Sequence, residues 1–427
     1  MKTCVIRMAA ILLSGFYPLL LWADILNQVL IEGNKKTRSE IIEQEMLLKV
    51  GDEITELAID QSRQAIMDLG LFRRVEILQE QEADITRLVV TVKEKKHDWY
   101  ILPRVDRNAD GDISLGMNFR AKNFNGLNQT VKLTPAYKKF DDATTDELYG
   151  ISWKFSYPRI VGTRYSAYNY VTFAQSVLDE ERDGLEGSYD RTEYLFGIGI
   201  GRWLSKSGIS NGLHASLGVE FQRFEHDHLD GAPGLYNDVS EVALAGSLTY
   251  NVTHDLLYNR KGYATGIVLK QANEALGSDS PYFHKYAFYR HYHSLSWREY
   301  TNFNVQVQAA SGNRSIFGGP VYELSGGHTL RGYKRETLEG DAYFLVNTQF
   351  LTPIFGKKNL RAGVLFDFGN AYDSLSEIKD LEFESGTGVS LRWKLKQWVE
   401  TEIRIDYAIG LGDEGASRFY VSSGVMF

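Results

Sequence analysis

The stretch SGGHTLRGYKRE, residues 325–336, decides how the chain is read. It sets Arg331 between Leu330 and Gly332, with Gly326 and Gly327 just upstream and Tyr333 just downstream. The chain on either side alternates apolar and polar residues as strands do. A long, glycine-marked connection with a cationic tip needs an acid somewhere to receive the charge.

Working outward, the alternation recurs in runs of about ten residues between turn signals, the pattern of a membrane barrel. In HASLGVEFQ (214–222), Ala215, Leu217, Val219 and Phe221 share one face and Ser216, Gly218, Glu220 and Gln222 the other. EYLFGIGIG (193–201) sets Tyr194, Phe196, Ile198 and Ile200 against Gly197, Gly199 and Gly201. TGVSLRWKL sets Val389, Leu391 and Trp393 against Ser390, Arg392 and Lys394, and TEIRIDYAI sets Ile403, Ile405 and Tyr407 against Glu402, Arg404 and Asp406. A soluble sandwich would show the same period with the apolar face buried, so alternation alone does not choose between the two. Composition favours the barrel. Of 427 residues, 25 are Tyr, 22 Phe and 39 Gly, against 8 Pro. Aromatics suit strands, and glycine suits turns and close approaches. No stretch beyond the N-terminus is long and apolar enough for a spanning helix.

Residues 1–23 read as a secretory signal: Lys2 and Arg7 precede the apolar run MAAILLSGFYPLLLW, and LWA ends it before Asp24. Cys4, the single cysteine, leaves with it, so the mature chain has no thiol chemistry. Loss of Lys2 and Arg7 takes the formal charge from −8 to −10, which argues against a nucleic-acid partner.

Residues 24–95 predict a small α+β domain. QVLIEGN reads as a strand. SEIIEQEMLL carries Ile41, Ile42, Glu45 and Met46 at helical spacing with Ser39 as cap. ELAIDQSRQAIMDLGLF reads as a second helix stopped by Gly70, and RRVEILQE and TRLVVTVKEK as two strands. From His97 to Phe427 about sixteen strands follow. The longest connection, roughly 311–340, lies between the eleventh and twelfth and holds LRGY. The fold expected is an all-β, transmembrane, antiparallel β-barrel of about sixteen strands behind a small α+β domain.

Strand–helix–helix–strand–strand with the step DLGLFRRVEI resembles one POTRA domain. RFYVSSGVMF, with Phe419, Val421, Val425 and the terminal Phe427 on one face, resembles the C-terminal targeting signal of bacterial outer-membrane proteins. With a sixth outer loop carrying Leu330, Arg331, Gly332 and Tyr333, the chain resembles the BamA/TamA superfamily of outer-membrane assembly and secretion barrels. That resemblance implies a loop folded into the lumen, its arginine paired with acids on the twelfth and thirteenth strands. It covers nearly the whole mature chain and differs in having one POTRA domain where assembly proteins usually have several. Nor is there room before that domain for the plug helix of two-partner secretion pores. The one-POTRA barrels fused behind patatin-type lipases are similar, without the lipase.

Spacing selects the acid. In AGVLFDFGNAY (362–372), Val364, Phe366 and Phe368 oppose Gly363, Leu365, Asp367 and Gly369, so a lipid-facing apolar set turns Asp367 into the lumen. Arg331 and Asp367 are expected to form a charge-assisted, bidentate pair, with Gly363 and Gly369 clearing space for the loop. On the twelfth strand the inward face offers the neutral Asn347 and Gln349. THDLLYNRKGYATG (253–266) resembles the family's Asp-rich turn before the ninth strand. At the closing pair of strands, WYILPRVDR (99–107) carries Pro103 at its centre and FYVSSGVMF carries Ser422, Ser423 and Gly424, which mark a weak seam.

Three other motifs are set aside. GISNG (208–212) matches a nucleophile elbow, but Ser210 falls in a turn between strands. DRNADGD (106–112) lacks the twelfth-position glutamate of a calcium loop, leaving a hairpin turn as the better reading. His291 and His293 share a strand face without a third ligand and read as an interfacial or lumenal pair. No cofactor and no bond chemistry are expected. The resemblance implies an outer-membrane location with the POTRA domain in the periplasm. It implies membrane lipid and an unfolded or β-strand client polypeptide as partners, and leaves accessory assembly proteins and a homodimer open. A passive pore or structural barrel plugged by the sixth loop is the alternative.

Overall fold

A computed structural model describes residues 24–427 apart from 84, 108–112, 140–146, 183, 206–209, 315–320, 335–336, 381, 399–401 and 424–427. Gly424, Val425, Phe427 and most of the DRNADGD motif therefore lie outside the described residues.

The N-terminal domain is a three-stranded sheet covered by two helices. Strand β1 (Gln28–Glu32) runs parallel to β3 (Ile85–Glu94), which pairs antiparallel with β2 (Phe72–Glu82). β1 and β2 are thus the two edges. Helix α1 (Ser39–Glu43) is shorter than the apolar spacing of SEIIEQEMLL predicts; its cap is Arg38, without a side-chain cap bond, and Ser39 is its first residue. The chain turns after Glu43, and Ile41, Ile42 and Met46 still enter one core with Ile66, Phe72, Leu88 and Val90. Helix α2 (Glu56–Asp68) is capped by Thr55 and followed by Gly70 at φ 70°.

The barrel has sixteen long strands among the described residues: Trp99–Arg107, Ile113–Phe124, Gln129–Lys139, Glu147–Tyr157, Tyr165–Arg182, Leu185–Trp203, Gly212–Gly231, Val239–Asn251, Arg260–Ala272, Tyr282–Ser294, Asn302–Arg314, Ala342–Ile354, Lys357–Tyr372, Glu384–Lys394, Glu402–Gly410 and Ser417–Ser423, here barrel strands 1 to 16. A two-residue strand at His254–Asp255 adds to strand 9, and strands 16 and 1 are neighbours that close the sheet. The apolar faces point outward: Leu217 is 72% exposed, with Ile198, Ile200, Val364 and Val389 also exposed. The polar faces point inward, where Glu220, Gln222, Asn347, Asp367, Arg404 and Asp406 are buried. A soluble sandwich requires the reverse, so the alternation is that of a membrane barrel. His291 and His293 fall on the outward face near the end of strand 10.

The N-terminal domain docks on the hairpins at the barrel end nearest it. Asn123 donates to the Thr37 hydroxyl at 2.9 Å and Arg38 to the Asn125 carbonyl at 3.2 Å. Asp68, at the end of α2, accepts from the Asp255 amide at 2.8 Å and faces His254 Nδ1 at 2.7 Å. Arg73 donates to Gln397 at 3.1 Å. The most buried of these contacts is Glu45, which accepts from Arg159 at 3.1 Å and from both the amide and the hydroxyl of Ser210 at 2.7 Å. Ser210 is thus a docking residue rather than a nucleophile.

Burial raises the Glu45 carboxyl above its ordinary value of 4.5, against the opposing pull of Ser210 and Arg159. A raised folded-state value favours the docked state fully below the unfolded value and loses that contribution as pH rises through the folded one. Spin labels at the exposed positions Glu43 and Arg164 should therefore report a docked population that falls from pH 5 towards pH 8. Glu45→Gln should flatten the dependence, and a parent population flat across that range would remove Glu45 as its source.

Candidate functional site

The connection between strands 11 and 12 folds into the lumen. Two-residue strands at Tyr322–Glu323 and Glu339–Gly340 pair at its base, and Leu324, Leu330, Tyr333 and Leu338 form a small core with Ala310, Tyr343 and Leu345 of the wall. This burial sets the loop's course, because apolar side chains in a polar lumen find cover only against one another.

Arg331 is carried at the inward end of that course and is 0% exposed, as are Asp367 and Asp406. Its Nε donates to Asp367 Oδ2 at 2.6 Å and Nη2 to Asp367 Oδ1 at 2.7 Å, a fork-to-fork pair, and its own amide reaches Oδ2 at 3.3 Å. Nη1 donates to Asp406 Oδ2 at 3.1 Å. The second acid thus lies on strand 15, not strand 12. Asp406 also accepts from Arg392 at 2.6 Å and from the Ser390 hydroxyl, and lies 3.5 Å from Arg404 Nε. Three guanidinium groups therefore converge around two carboxylates in a space closed to bulk water.

The other motif residues extend the grip. Gly332 has φ 100°, and a Cβ there would lie 2.3 Å from the Gly410 amide nitrogen, so only glycine fits. Its amide donates to the Tyr420 hydroxyl of strand 16 at 3.1 Å, and its carbonyl accepts from the Ala416 amide at 2.7 Å. The Tyr333 hydroxyl lies 2.7 Å from the Ser385 carbonyl and 2.9 Å from the Glu384 carboxylate, with one proton to share between them. Leu330 is fully buried. Asn347 donates to the Thr329 carbonyl at 2.8 Å and so holds the loop backbone, not the arginine. Gln349 does not reach the loop: it donates to Ser390 at 2.7 Å, which in turn orients Asp406. The loop therefore binds strands 13 to 16 and the backbone-facing Asn347 of strand 12.

Two glycines assigned to loop clearance serve another purpose. A Cβ at Gly363 or Gly369 would strike the Phe350 or Phe344 carbonyl of strand 12, so both ease strand pairing. Clearance for the loop comes from Gly386, where a Cβ would lie 2.0 Å from the Arg331 carbonyl oxygen. Asp406, Arg392, Arg404, Ser390 and Tyr420 were not singled out from the sequence. The inward parity of Arg404 and Asp406 in TEIRIDYAI was the available signal.

At the seam, the backbone of Pro103 pairs with Met117 of strand 2, and Ser422 and Ser423 pair with Arg404 and Ile403. Phe419 and Val421 are exposed on the outer face of strand 16. Tyr100, on strand 1, packs edge-on against Trp398, which also stacks on His97 with centroids 4.6 Å apart. Among the described residues no group of three or more His, Cys, Asp or Glu side chains is arranged to hold a metal ion.

A closed sixteen-stranded barrel, apolar outside and polar within, preceded by a single α+β domain and locked by an inward loop arginine, defines an outer-membrane barrel protein. The Omp85 superfamily domain matches residues 123–427 and the POTRA-type surface antigen variable number repeat matches residues 25–95; the chain belongs to the Omp85 superfamily. It lies in the outer membrane of a Gram-negative bacterium, with the POTRA domain on the periplasmic side. It is similar to the outer membrane protein assembly factor BamA of Nitratidesulfovibrio vulgaris, 21% identical over 434 residues, covering 94% of this chain and 51% of the relative. The chain thus spans about half the length of that relative. Among solved structures it shares its fold with CdiB from Acinetobacter baumannii (TM-score 0.64, 13% identity, 94% of this chain and 74% of the other). The same holds for BamA from Haemophilus ducreyi lacking POTRA domains 1–3 (TM-score 0.53, 14% identity, 94% and 84%).

Proposed function

We propose that this chain assists insertion, assembly or translocation of β-rich client polypeptides at the outer membrane, with the POTRA domain capturing an extended segment and the closing strand pair opening sideways to receive it. No bond chemistry is involved. The observation that carries the reading is the grip of the sixth loop on strands 13 to 16 through Asp367, Tyr333, Asp406 and Tyr420. A brace on the last four strands would keep strand 16 in place when its outer edge parts from strand 1, its neighbour in the closed barrel. Pro103 in strand 1 has no N–H to offer a ladder, and although Pro135 and Pro353 also interrupt strands, neither belongs to the closing pair. The POTRA sheet has two edges, and exposed Leu30 on β1 and Leu78 on β2 suit addition of an extended apolar-patterned segment. The names of the BamA relative and the membership of the superfamily agree with this class of activity.

Partners on this reading are outer-membrane lipid and a client chain, with accessory assembly proteins or a second copy joining at the POTRA domain. The second reading, a passive pore plugged by the loop, draws on the apolar core that the loop builds in the lumen. Depletion of the protein decides between them. Loss of particular barrel or secreted proteins from the outer-membrane proteome supports the assembly reading; an unchanged proteome with altered permeability supports the pore.

A further inference from the structure

The bonds between the POTRA domain and the barrel rim, among the described residues, reach the hairpins at 125–128, 158–164, 204–211, 252–259 and 395–401. Those at 295–301 and 355–356 receive none. Both carry an aromatic residue at positive φ. Strands 12 and 13 are joined by the two-residue turn Phe355-Gly356, with φ 51° and 65°. Positive φ at both positions suits a type I′ turn, whose first residue is ordinarily Asn, Asp or Gly. A phenylalanine there adopts a backbone conformation that bulky residues rarely accept. Tyr300 in the neighbouring hairpin has φ 60°. Elsewhere on the rim the described non-glycine residues with positive φ are Asn123, Asn125 and Asn128, which tolerate it, and Leu257 at φ 70°.

Both hairpins present rings to the outside. Phe355 is 84% exposed and Trp297 is 68% exposed. The two hairpins are tied together: Lys358 Nζ lies 4.8 Å above the Tyr300 ring and 3.6 Å from Glu299, and Arg298 donates to the Pro353 carbonyl at 3.3 Å; Tyr300 also packs edge-on against Tyr258 of the hairpin at 252–259, 5.3 Å away. Arg298, Lys357 and Lys358 are all exposed, and Glu299 is the one acid among residues 295–301 and 355–358. The patch runs into the lipid-facing wall through Phe303, His293, His291 and the outward series Tyr289, Tyr263 and Tyr250.

We propose that the hairpins at 295–301 and 355–356 form an anchor for anionic phospholipid headgroups of the periplasmic leaflet. Trp297 and Phe355 insert at headgroup level, and Arg298, Lys357 and Lys358 face the phosphates. Exposed aromatic rings are at home at a membrane–water boundary, where cationic side chains flanking them meet negative charge. Continuity with the lipid-facing belt selects the bilayer over a polypeptide. The rim is thus divided: one flank is covered by the POTRA domain and the other rests on the membrane.

The test uses the full chain reconstituted in phosphatidylcholine vesicles containing equal fractions of brominated phosphatidylcholine or brominated phosphatidylglycerol. The Trp297 signal is the difference between the parent and Trp297→Phe. Phosphatidylglycerol should quench it about fivefold more effectively, the ratio that one basic residue near an anionic surface supports. The triple variant Arg298→Gln, Lys357→Gln, Lys358→Gln should equalise the two lipids. Phe355→Asn, which suits the turn, should keep heat-modifiability while lowering the quenching. Equal quenching in the parent overturns the proposal. So does a Trp297 that is untouched by either lipid, open to acrylamide and shielded by an added β-strand peptide, which would make the patch a polypeptide surface. Loss of the folded barrel in Phe355→Asn would assign the ring to the hairpin itself and overturn it as well.

Discussion

Arg331→Ala should give a barrel that unfolds at clearly lower temperature on heat-modifiability gels. The substitution strips Asp367 of both side-chain donors while leaving it fully buried. Breaking a buried pair by removing one partner costs about 3–5 kcal/mol, because the remaining charge is uncompensated. Asp406 is better insured, since Arg392 and Ser390 stay in place. Removing an acid is harsher. Asp406→Asn removes the one carboxylate that Arg331, Arg392 and Arg404 have in common, leaving Asp367 paired with Arg331 and Glu402 4.0 Å from Arg392, so repulsion among the cations adds to the lost pair, and its barrel should be the least heat-resistant of the set. Arg331→Lys should not rescue, since an ammonium cannot span Asp367 in two parallel bonds and reach Asp406 as well. The double variant Arg331→Ala, Asp367→Ala should lose less than the sum of the singles. Single variants as heat-resistant as the parent would show that the lock carries no stability.

Joining strands 1 and 16 by a disulfide should abolish complementation of a deletion strain, and reductant should restore it. No cysteine follows Cys4, so with Cys4 replaced by serine, pairs placed between residues 100–105 and 419–423 report without background. A control lies one strand away: Ile405 and Val421 are paired across strands 15 and 16, and a disulfide there should leave function intact because the loop already holds those strands together. If the seam-locked barrel complements as well as the control, sideways opening is not required and the pore reading gains.

The barrel was legible because a two-residue period survives any reversal of environment; the same alternation that lines a soluble core lines a membrane wall. The direction of the faces was not in the pattern itself and came from the signal-like N-terminus and the aromatic load. Asp367 could be placed because Val364, Phe366 and Phe368 share one parity of its strand, while the other carries two glycines and a single bulky apolar residue, Leu365. Asp406 has the same inward parity, yet nothing in TEIRIDYAI says how far around the barrel strand 15 lies from the loop. That distance follows from curvature and closure, which a single strand does not encode. Gln349 failed as a loop partner for the same reason: inward parity brings a side chain into the lumen but does not say what it meets there. Helix α1 is shorter than the spacing predicts because Glu45 and Met46 fit helical spacing while being buried by a turn that docks on Arg159 and Ser210.

The lock also constrains the order in which the protein can be made. Arg331 meets Asp367 and Asp406 across 36 and 75 residues of chain, so its site does not exist until strands 13 to 15 have paired. Until then the loop carries an unneutralised guanidinium among apolar side chains and gains nothing by entering the lumen. Contacts at such separation form late, after the loop-closure entropy of the intervening strands has been met. Seating of Arg331 is therefore a checkpoint near the end of folding, and a chain truncated before Glu402 should hold its sixth loop outside, open to protease at Arg331, however well its first fourteen strands have paired.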